Sequence, residues 1–193
     1  VTVKELSEYL YVSEPSVRRD LASLEKQNLI KRIHGGAIIE NHSASYLKIP
    51  FAIREMEEKD RNQVLEMMRV FYASPAVWSN GSEEIFQADF AACISDSPFL
   101  EGYIFESAED IQGYAMVAKS FSTEFGKPCV WIEDIYVKDA YRGLGIGSRF
   151  LKFIESKYPD AILRLEVEAE NERAVNVYQK CGFEVIPYME MKK

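Results

Sequence analysis

Histidine is almost missing from this chain of 193 residues: His34 and His42 are the only two, and none follows. A histidine-based triad or a multi-histidine metal centre is therefore excluded from residue 43 onward. Proton transfer there must use carboxylates, tyrosine, cysteine, lysine or water. Cysteine is scarce as well. Cys93, Cys129 and Cys181 are far apart, odd in number and form no C-x-x-C pair. Neither a disulfide framework nor a cysteine zinc site is indicated, so no metal is expected and a reducing cytoplasm is the simplest compartment. No apolar run approaches the ~20 residues needed to span a bilayer, and no signal-peptide pattern opens the chain. No membrane partner is expected. Internal repeats and low-complexity segments are absent too.

Net charge is present but lopsided. The formal value of −8 lies wholly beyond residue 45. Before that point Lys4, Arg18, Arg19, Lys26, Lys31 and Arg32 balance Glu5, Glu8, Glu14, Asp20, Glu25 and Glu40. An acidic body argues against broad nucleic-acid binding there and favours a cationic substrate, although an acidic surface also serves solubility alone.

With 47% hydrophobic residues, the length suits one ordinary domain plus a small module. Residues 1–40 read as helix, turn, helix and small hairpin. Residues 41–50 lack periodicity and end in Pro50, as a linker would. The boundary is set at 1–45 for the module with its linker and 46–193 for the main domain. In the main domain strand-like and helix-like segments alternate, an α/β pattern. Phe51–Met56 reads as a strand and Lys59–Tyr72 as a helix. A second helix is capped by Ser82, with Glu83 and Glu84 in its first turn. Strands follow at Leu100–Glu106, at Gln112–Phe121 after a hairpin through Glu109-Asp110, and at Val130–Val137. A helix at Ser148–Lys157, a strand at Ile162–Val167 and a helix at about Glu172–Lys180, stopped by Gly182, come next. Short strands at Phe183–Ile186 and Met189–Met191 close the pattern.

The densest motif is Tyr141-Arg142-Gly143-Leu144-Gly145-Ile146-Gly147, between a strand and a helix. Its glycines strip side chains from the turn, so backbone N–H groups can converge on an anion in front of a helix N-terminus. Arg142 adds a fixed positive charge. Such a turn suits a pyrophosphate, but alone it is a weak signal. Asn171, Ala174, Tyr178 and Gly182-Phe183 strengthen it. With Arg142-x-x-Gly145-x-Gly147 they resemble the acyl-CoA-binding core of the GNAT superfamily of N-acetyltransferases, over residues 51–193.

The resemblance implies a GNAT fold: a mixed central sheet with flanking helices, in which the strand Trp131–Val137 splays from its parallel neighbour. Backbone groups of Ile135, Tyr136 and Val137 would pair with the pantetheine arm of acetyl-CoA, as an added strand would. Arg142, Gly143, Leu144, Gly145, Ile146 and Gly147, with Ser148, would wrap the pyrophosphate, and Asn171 would hold the pantetheine. Tyr178 takes the place of the family's general acid. A phenol of pKa ~10 is a reasonable donor to a thiolate leaving group. Glu133 is the candidate base. It stands beside Asp134, and strand alternation points the two to opposite faces. Bulk water or a group on the substrate side is the alternative base. Cys181 lacks a histidine to activate it and reads as a buried helix-end thiol. Acyl groups other than acetyl are left open by the motif. The acceptor amine is expected between residues 74–82, which include Trp78, and the C-terminal strands.

The N-terminal segment has its own pattern. Ser13 caps a helix with Pro15 in its first turn and Val17, Leu21 and Leu24 as a buried stripe. Ile30 to Ile38 reads as a hairpin wing containing Arg32-Ile33-His34-Gly35-Gly36-Ala37. The whole resembles a DeoR-type winged helix-turn-helix. If the second helix is a recognition helix, Ser16, Arg18 and Arg19 are its DNA-facing residues. The family carries a further helix before this point, so the resemblance is to a partial module, and its balanced charge is unlike that of a strong DNA binder. The leading expectation is an acetyl-CoA-dependent N-acetyltransferase that carries this module, with room for a homodimer. The alternative is a DNA-binding regulator whose GNAT domain senses acetyl-CoA or an amine.

Overall fold

A computed structural model of the chain describes residues 2–10, 12–26, 31–33, 35–38, 51–108, 110–189 and 192. The linker at 41–50, His34, Glu109 and the segment 190–191 lie outside the described residues, as do the side chains of Leu10 and Leu24. The chain divides into two compact units, Val1–Lys48 and Ile49–Lys193.

In the first unit, α1 (Val3–Leu10) and α2 (Glu14–Lys26) precede a hairpin of β1 (Lys31–Ile33) and β2 (Gly36–Ile38). Thr2 and Glu5 close a reciprocal cap at the start of α1: Glu5 N–H donates to Thr2 Oγ1 at 3.1 Å, and Thr2 N–H donates to Glu5 Oε2 at 2.7 Å. Ser13 caps α2 as expected, accepting from Ser16 N–H at 3.4 Å. Val3, Val17, Leu21 and Ala37 pack into a small core.

The second unit is a five-stranded sheet in the order β3-β4-β5-β6-β7, antiparallel except for the parallel pair β6–β7. Its strands are β3 (Ala52–Glu55), β4 (Leu100–Glu106), β5 (Ile111–Ser122), β6 (Lys127–Val137) and β7 (Ile162–Leu165). The period of two sorts their side chains to two faces. On one face Ile104, Tyr114, Met116 and Tyr136 meet α3 (Arg61–Tyr72) and α4 (Glu83–Cys93) through Val64, Leu65, Met68, Phe86 and Phe90. On the other, Tyr103, Phe105, Ala115, Val117, Val130 and Ile132 meet Phe150, Leu151 and Ile154 of α5 (Ile146–Lys157). Tyr178 of α6 (Glu172–Lys180) joins that second core. Each fully buried aromatic or large aliphatic residue contributes about 1.5–3 kcal/mol relative to exposure. Ser82 caps α4, accepting from Ile85 N–H at 3.3 Å.

Three expectations need correction. No strand forms over 183–189. Pro187 cannot donate to a ladder, and Val185 and Met189 stand 85% and 87% exposed, so the segment is held by side chains, Phe183 on the core and Tyr188 on Glu124, rather than by a strand ladder. Helix α5 starts at Ile146 rather than Ser148, because Ile146 is buried and anchors the first turn. Strand β7 ends at Leu165, two residues short of Val167, and this early end creates the site described next.

Candidate active site

The site is built where two strands part company. β6 and β7 pair from Cys129 opposite Ile162 to Ile132 opposite Leu165, and there β7 stops. β6 runs on to Val137, so its stretch 133–137 has no strand on that side. On its other side Lys138 N–H donates to Gln112 C=O. Hydrogen-bonded pairs alternate along an antiparallel ladder. Tyr136 therefore turns its backbone groups toward β5, and Ile135 and Val137 turn theirs to the open edge. Of the three residues expected to offer backbone contacts, alternation favours these two. The Val137 carbonyl accepts from Arg142 Nε at 2.9 Å.

A β-bulge sits at the mouth of this gap. Ile132 stands opposite Val117 and Asp134 opposite Met116, so Glu133 is the extra residue. The bulge breaks the strict alternation assumed for Glu133 and Asp134. Ile132 and Ile135 both contact the α5-side core, whereas Tyr136 joins the α3/α4 side. Glu133 is exposed and Asp134 is 4% exposed.

Beyond β6 the chain turns through a short 3-10 segment, Asp139–Tyr141, into the glycine loop. Gly143 and Gly145 have φ of +83° and +78°, a left-handed conformation that side chains with a Cβ rarely adopt. Gly145 caps α5, which leaves the N–H groups of Ile146, Gly147 and Ser148 in its first turn without intrahelical acceptors. A Cβ on Gly147 would meet nothing within 4 Å, so its bareness keeps that turn open rather than relieving strain. Arg142 is exposed, pairs with Asp139 at 2.7 Å and lies 5.9 Å from the Tyr136 ring centroid. Together these groups form an anion cradle with a positive helix end behind it.

Tyr178 lies on the α5 side, half-buried, with its ring 6.0 Å from that of Phe183. Burial, then the neighbouring Cys181, push its phenol upward, so it stays protonated at neutral pH. No hydrogen bond to its hydroxyl is formed among the described residues. Asn171 caps α6, accepting from Ala174 N–H at 3.2 Å, which leaves its amide N–H₂ for a ligand. Cys181 stands at the end of α6 as expected, but half-buried rather than buried.

One buried constellation went unread in the sequence. Asp134 accepts from Tyr72 Oη at 3.2 Å and from Tyr114 Oη at 2.9 Å, one tyrosine to each carboxylate oxygen. Burial pushes Asp134 up to about 6 against the hydrogen bonds, with Asp89 and Glu133 adding repulsion. The same burial and the charge of Asp134 drive both phenols upward. Cys93 is pushed up to about 12 by burial, then by Asp89 and Asp134. The available signal was an aspartate at an inward position of an otherwise apolar strand. Among the described residues no group of histidine, cysteine, aspartate or glutamate is placed to hold a metal.

Residues 62–183 match the family model described as the acetyltransferase (GNAT) family. The chain belongs to that family. Residues 1–43 match the DeoR-like helix-turn-helix domain. The GNAT chain is 32% identical over 143 residues to thialysine N-epsilon-acetyltransferase of Bos taurus, across 67% of this chain and 82% of that protein. Its front part is 39% identical over 61 residues to the HTH-type transcriptional regulator GolR of Listeria innocua serovar 6a, covering 31% of this chain but only 24% of the regulator. Among solved structures, aminoglycoside N-acetyltransferase AAC(6')-Iy in complex with CoA superposes with a TM-score of 0.61 at 16% identity, over 74% of this chain and 93% of that one. At that identity the likeness is one of fold.

Proposed function

We propose that this GNAT acetyltransferase transfers an acetyl group from acetyl-CoA to an aliphatic primary amine by direct attack in a ternary complex. One observation carries the reading: the edge of β6 left open by the early end of β7, with the anion cradle at its far end. Ile135 and Val137 offer backbone partners to a pantetheine arm, and Arg142 to Ser148 receive the pyrophosphate. Asn171 adds an amide donor on the arm's path. Tyr178 is the general acid that protonates the departing thiolate. The amine class follows the thialysine acetyltransferase relative and the acidic surroundings of Asp134, Asp89 and Glu133. Glu133, exposed at the bulge, meets the incoming ammonium.

Calorimetry with acetyl-CoA tests the cofactor arm. The wild type binds, and Gly145→Glu, which puts bulk and negative charge in the cradle and strains the left-handed turn, abolishes binding. An amine panel headed by thialysine, read by thiol release, tests the acceptor arm. Unchanged acetyl-CoA affinity in a folded Gly145→Glu protein contradicts the assignment. Residues 46–193 are taken as the catalytic domain, and on their own they retain acetyl-CoA binding.

A second reading has a specific support. Arg18 and Arg19 are exposed on α2 while Val17 and Leu21 of the same helix are buried, which suits a helix that presents cations outward. In this reading the acetyltransferase domain serves a DNA-binding regulator. Fragments bound by the whole chain and released by Arg18→Ala with Arg19→Ala support it. Binding that ignores both arginines removes it.

A further inference from the structure

Resting on the acetyltransferase reading above, we propose that Asp134 is a positioning residue that takes the acceptor's proton indirectly, through the hydroxyl of Tyr72. Asp134 is 4% exposed and Tyr114 is fully buried, so neither can touch an amine in solution. Tyr72 is only half-buried and ends α3, immediately before residues 73–82 that join α3 to α4. Its hydroxyl donates to Asp134 Oδ1, which leaves the phenol oxygen to accept from an incoming N–H. Asp134 itself lies on the stretch of β6 that has lost its β7 partner. The carboxylate thus stands behind Tyr72 at the open edge where the thioester is expected.

The groups that face Asp134 are Tyr72 from α3, Asp89 and Cys93 from α4, Tyr114 from β5, and Glu133 and Tyr136 from its own strand. None is a cation, and Asp134 makes no salt bridge among the described residues. The buried anion is therefore held only by two phenols, which makes it a ready proton acceptor. Its value of about 6 lies close to the range where a general base works best at neutral pH.

The protons balance as follows. An ammonium docked on Tyr72 gives one proton to the phenol oxygen while the phenol's own proton passes to Asp134 Oδ1. The neutral amine attacks the thioester carbonyl, forming the C–N bond. Collapse breaks the C–S bond and expels the thiolate. The second nitrogen proton ends on that sulfur by way of Tyr178. The proton on Asp134 returns through Tyr72 to solvent, so one proton is released per turnover.

The test uses the full chain, acetyl-CoA and thialysine. In the wild type, kcat/KM falls only below about pH 6, where Asp134 is protonated. In Asp134→Asn and in Tyr72→Phe, only amine already deprotonated in solution reacts. The acid limb then moves to the amine's own pKa, about 9–10. Activity at pH 7.5 falls ~10²-fold, within the range of general-base effects, and the gap closes above pH 10. The double variant is no slower than either single one, because both remove the same path. Carbon-13 NMR of the Asp134 carboxyl reads the same group without turnover. Its midpoint lies near 6 and rises in Tyr72→Phe, which has lost a stabilising donor. A wild-type acid limb in both single variants overturns the relay, as does a limb moved by Glu133→Gln alone. Equal loss of rate at every pH with a lowered Tm would instead make Asp134 structural. Failure of the wild type to acetylate any amine would count against the acetyltransferase reading, while the carboxyl titration would still judge the relay.

Discussion

Two carboxylates in the same sheet make an instructive pair. Asp134 on β6 and Glu101 on β4 each accept from two tyrosines: Tyr72 and Tyr114 for the first, Tyr103 and Tyr158 for the second. Their acidities nonetheless diverge in opposite directions. Burial pushes Glu101 up, but Lys119, the two phenols and Lys157 outweigh it and hold it at about 2. Asp134 has no such cations and rises to about 6. The Glu101 cluster ties β4 and β5 to the C-terminal end of α5, where Lys157 also receives the Tyr103 ring at 5.0 Å. Asp134 lies two strands over at nearly the same level, because Glu101 stands opposite Val117 and Asp134 opposite Met116, but its tyrosine partners belong to the α3/α4 face of the sheet. Two tyrosines are therefore not what makes a carboxylate reactive. The absence of a cation does, because it leaves the charge bound only by neutral donors. One cluster is a clamp, and the other is the one we propose as a proton acceptor.

The largest effect that tests this contrast is on Tyr178, whose hydroxyl is not tied to a carboxylate. Tyr178→Phe lowers kcat by ~10²–10⁴ with little change in acetyl-CoA affinity, measured by steady-state kinetics and calorimetry. Next comes the direct comparison of the two carboxylates in rate at pH 7.5. Asp134→Asn loses ~10²-fold in kcat/KM, whereas Glu101→Gln stays within about twofold of the wild type. A catalytic loss from Glu101→Gln as large as that from Asp134→Asn would break the distinction.

Stability reverses the order and the sign. Glu101 is lowered from 4.5 to about 2 in the fold, so its contribution is present above its unfolded pKa and fades as pH falls toward 2. Glu101→Gln costs about 2–3 kcal/mol at pH 7 by denaturant titration, and that cost shrinks on acidification. Asp134 is raised from 3.8 to about 6, so its cost to folding builds as pH rises from about 4 to about 6 and is fully present above that. Asp134→Asn therefore raises stability by about 1–2 kcal/mol at pH 7.5 and gives no gain near pH 4. The smallest effect is Lys119→Met. It moves Glu101 part of the way toward Asp134, costs about 1 kcal/mol and leaves turnover unchanged.

Much of the fold could be read from residue order. Apolar periodicity placed α3, α4, α6, β4 and β5 to within a few residues, and Ser13 and Ser82 marked real caps. The glycine loop was legible because positive φ and an uncovered helix start both demand glycine locally. The strand expected at Phe183–Ile186 was misread because that segment has a strand's composition, and nothing local reports whether a neighbouring strand exists to pair with it; the one expected at Met189–Met191 falls largely outside the described residues. The difference between Glu133 and Asp134 was not legible for a related reason. Glu133 and Asp134 look equivalent in a strand until the bulge sets one out and the other in.

What the amino-acid order alone determined are properties carried by single residues and their near neighbours. These include the lack of histidine chemistry, the alternation of helix and strand, the caps and the cradle at Arg142–Ser148. Tertiary structure decided whatever depends on groups far apart in the chain. Tyr72 and Tyr114 reach Asp134 across 62 and 20 residues. Only the packing of α3 over the sheet brings them together, while Lys119 and Lys157 gather at Glu101 instead. Desolvation and the count of nearby cations set a carboxylate's proton affinity, and both are properties of a three-dimensional neighbourhood.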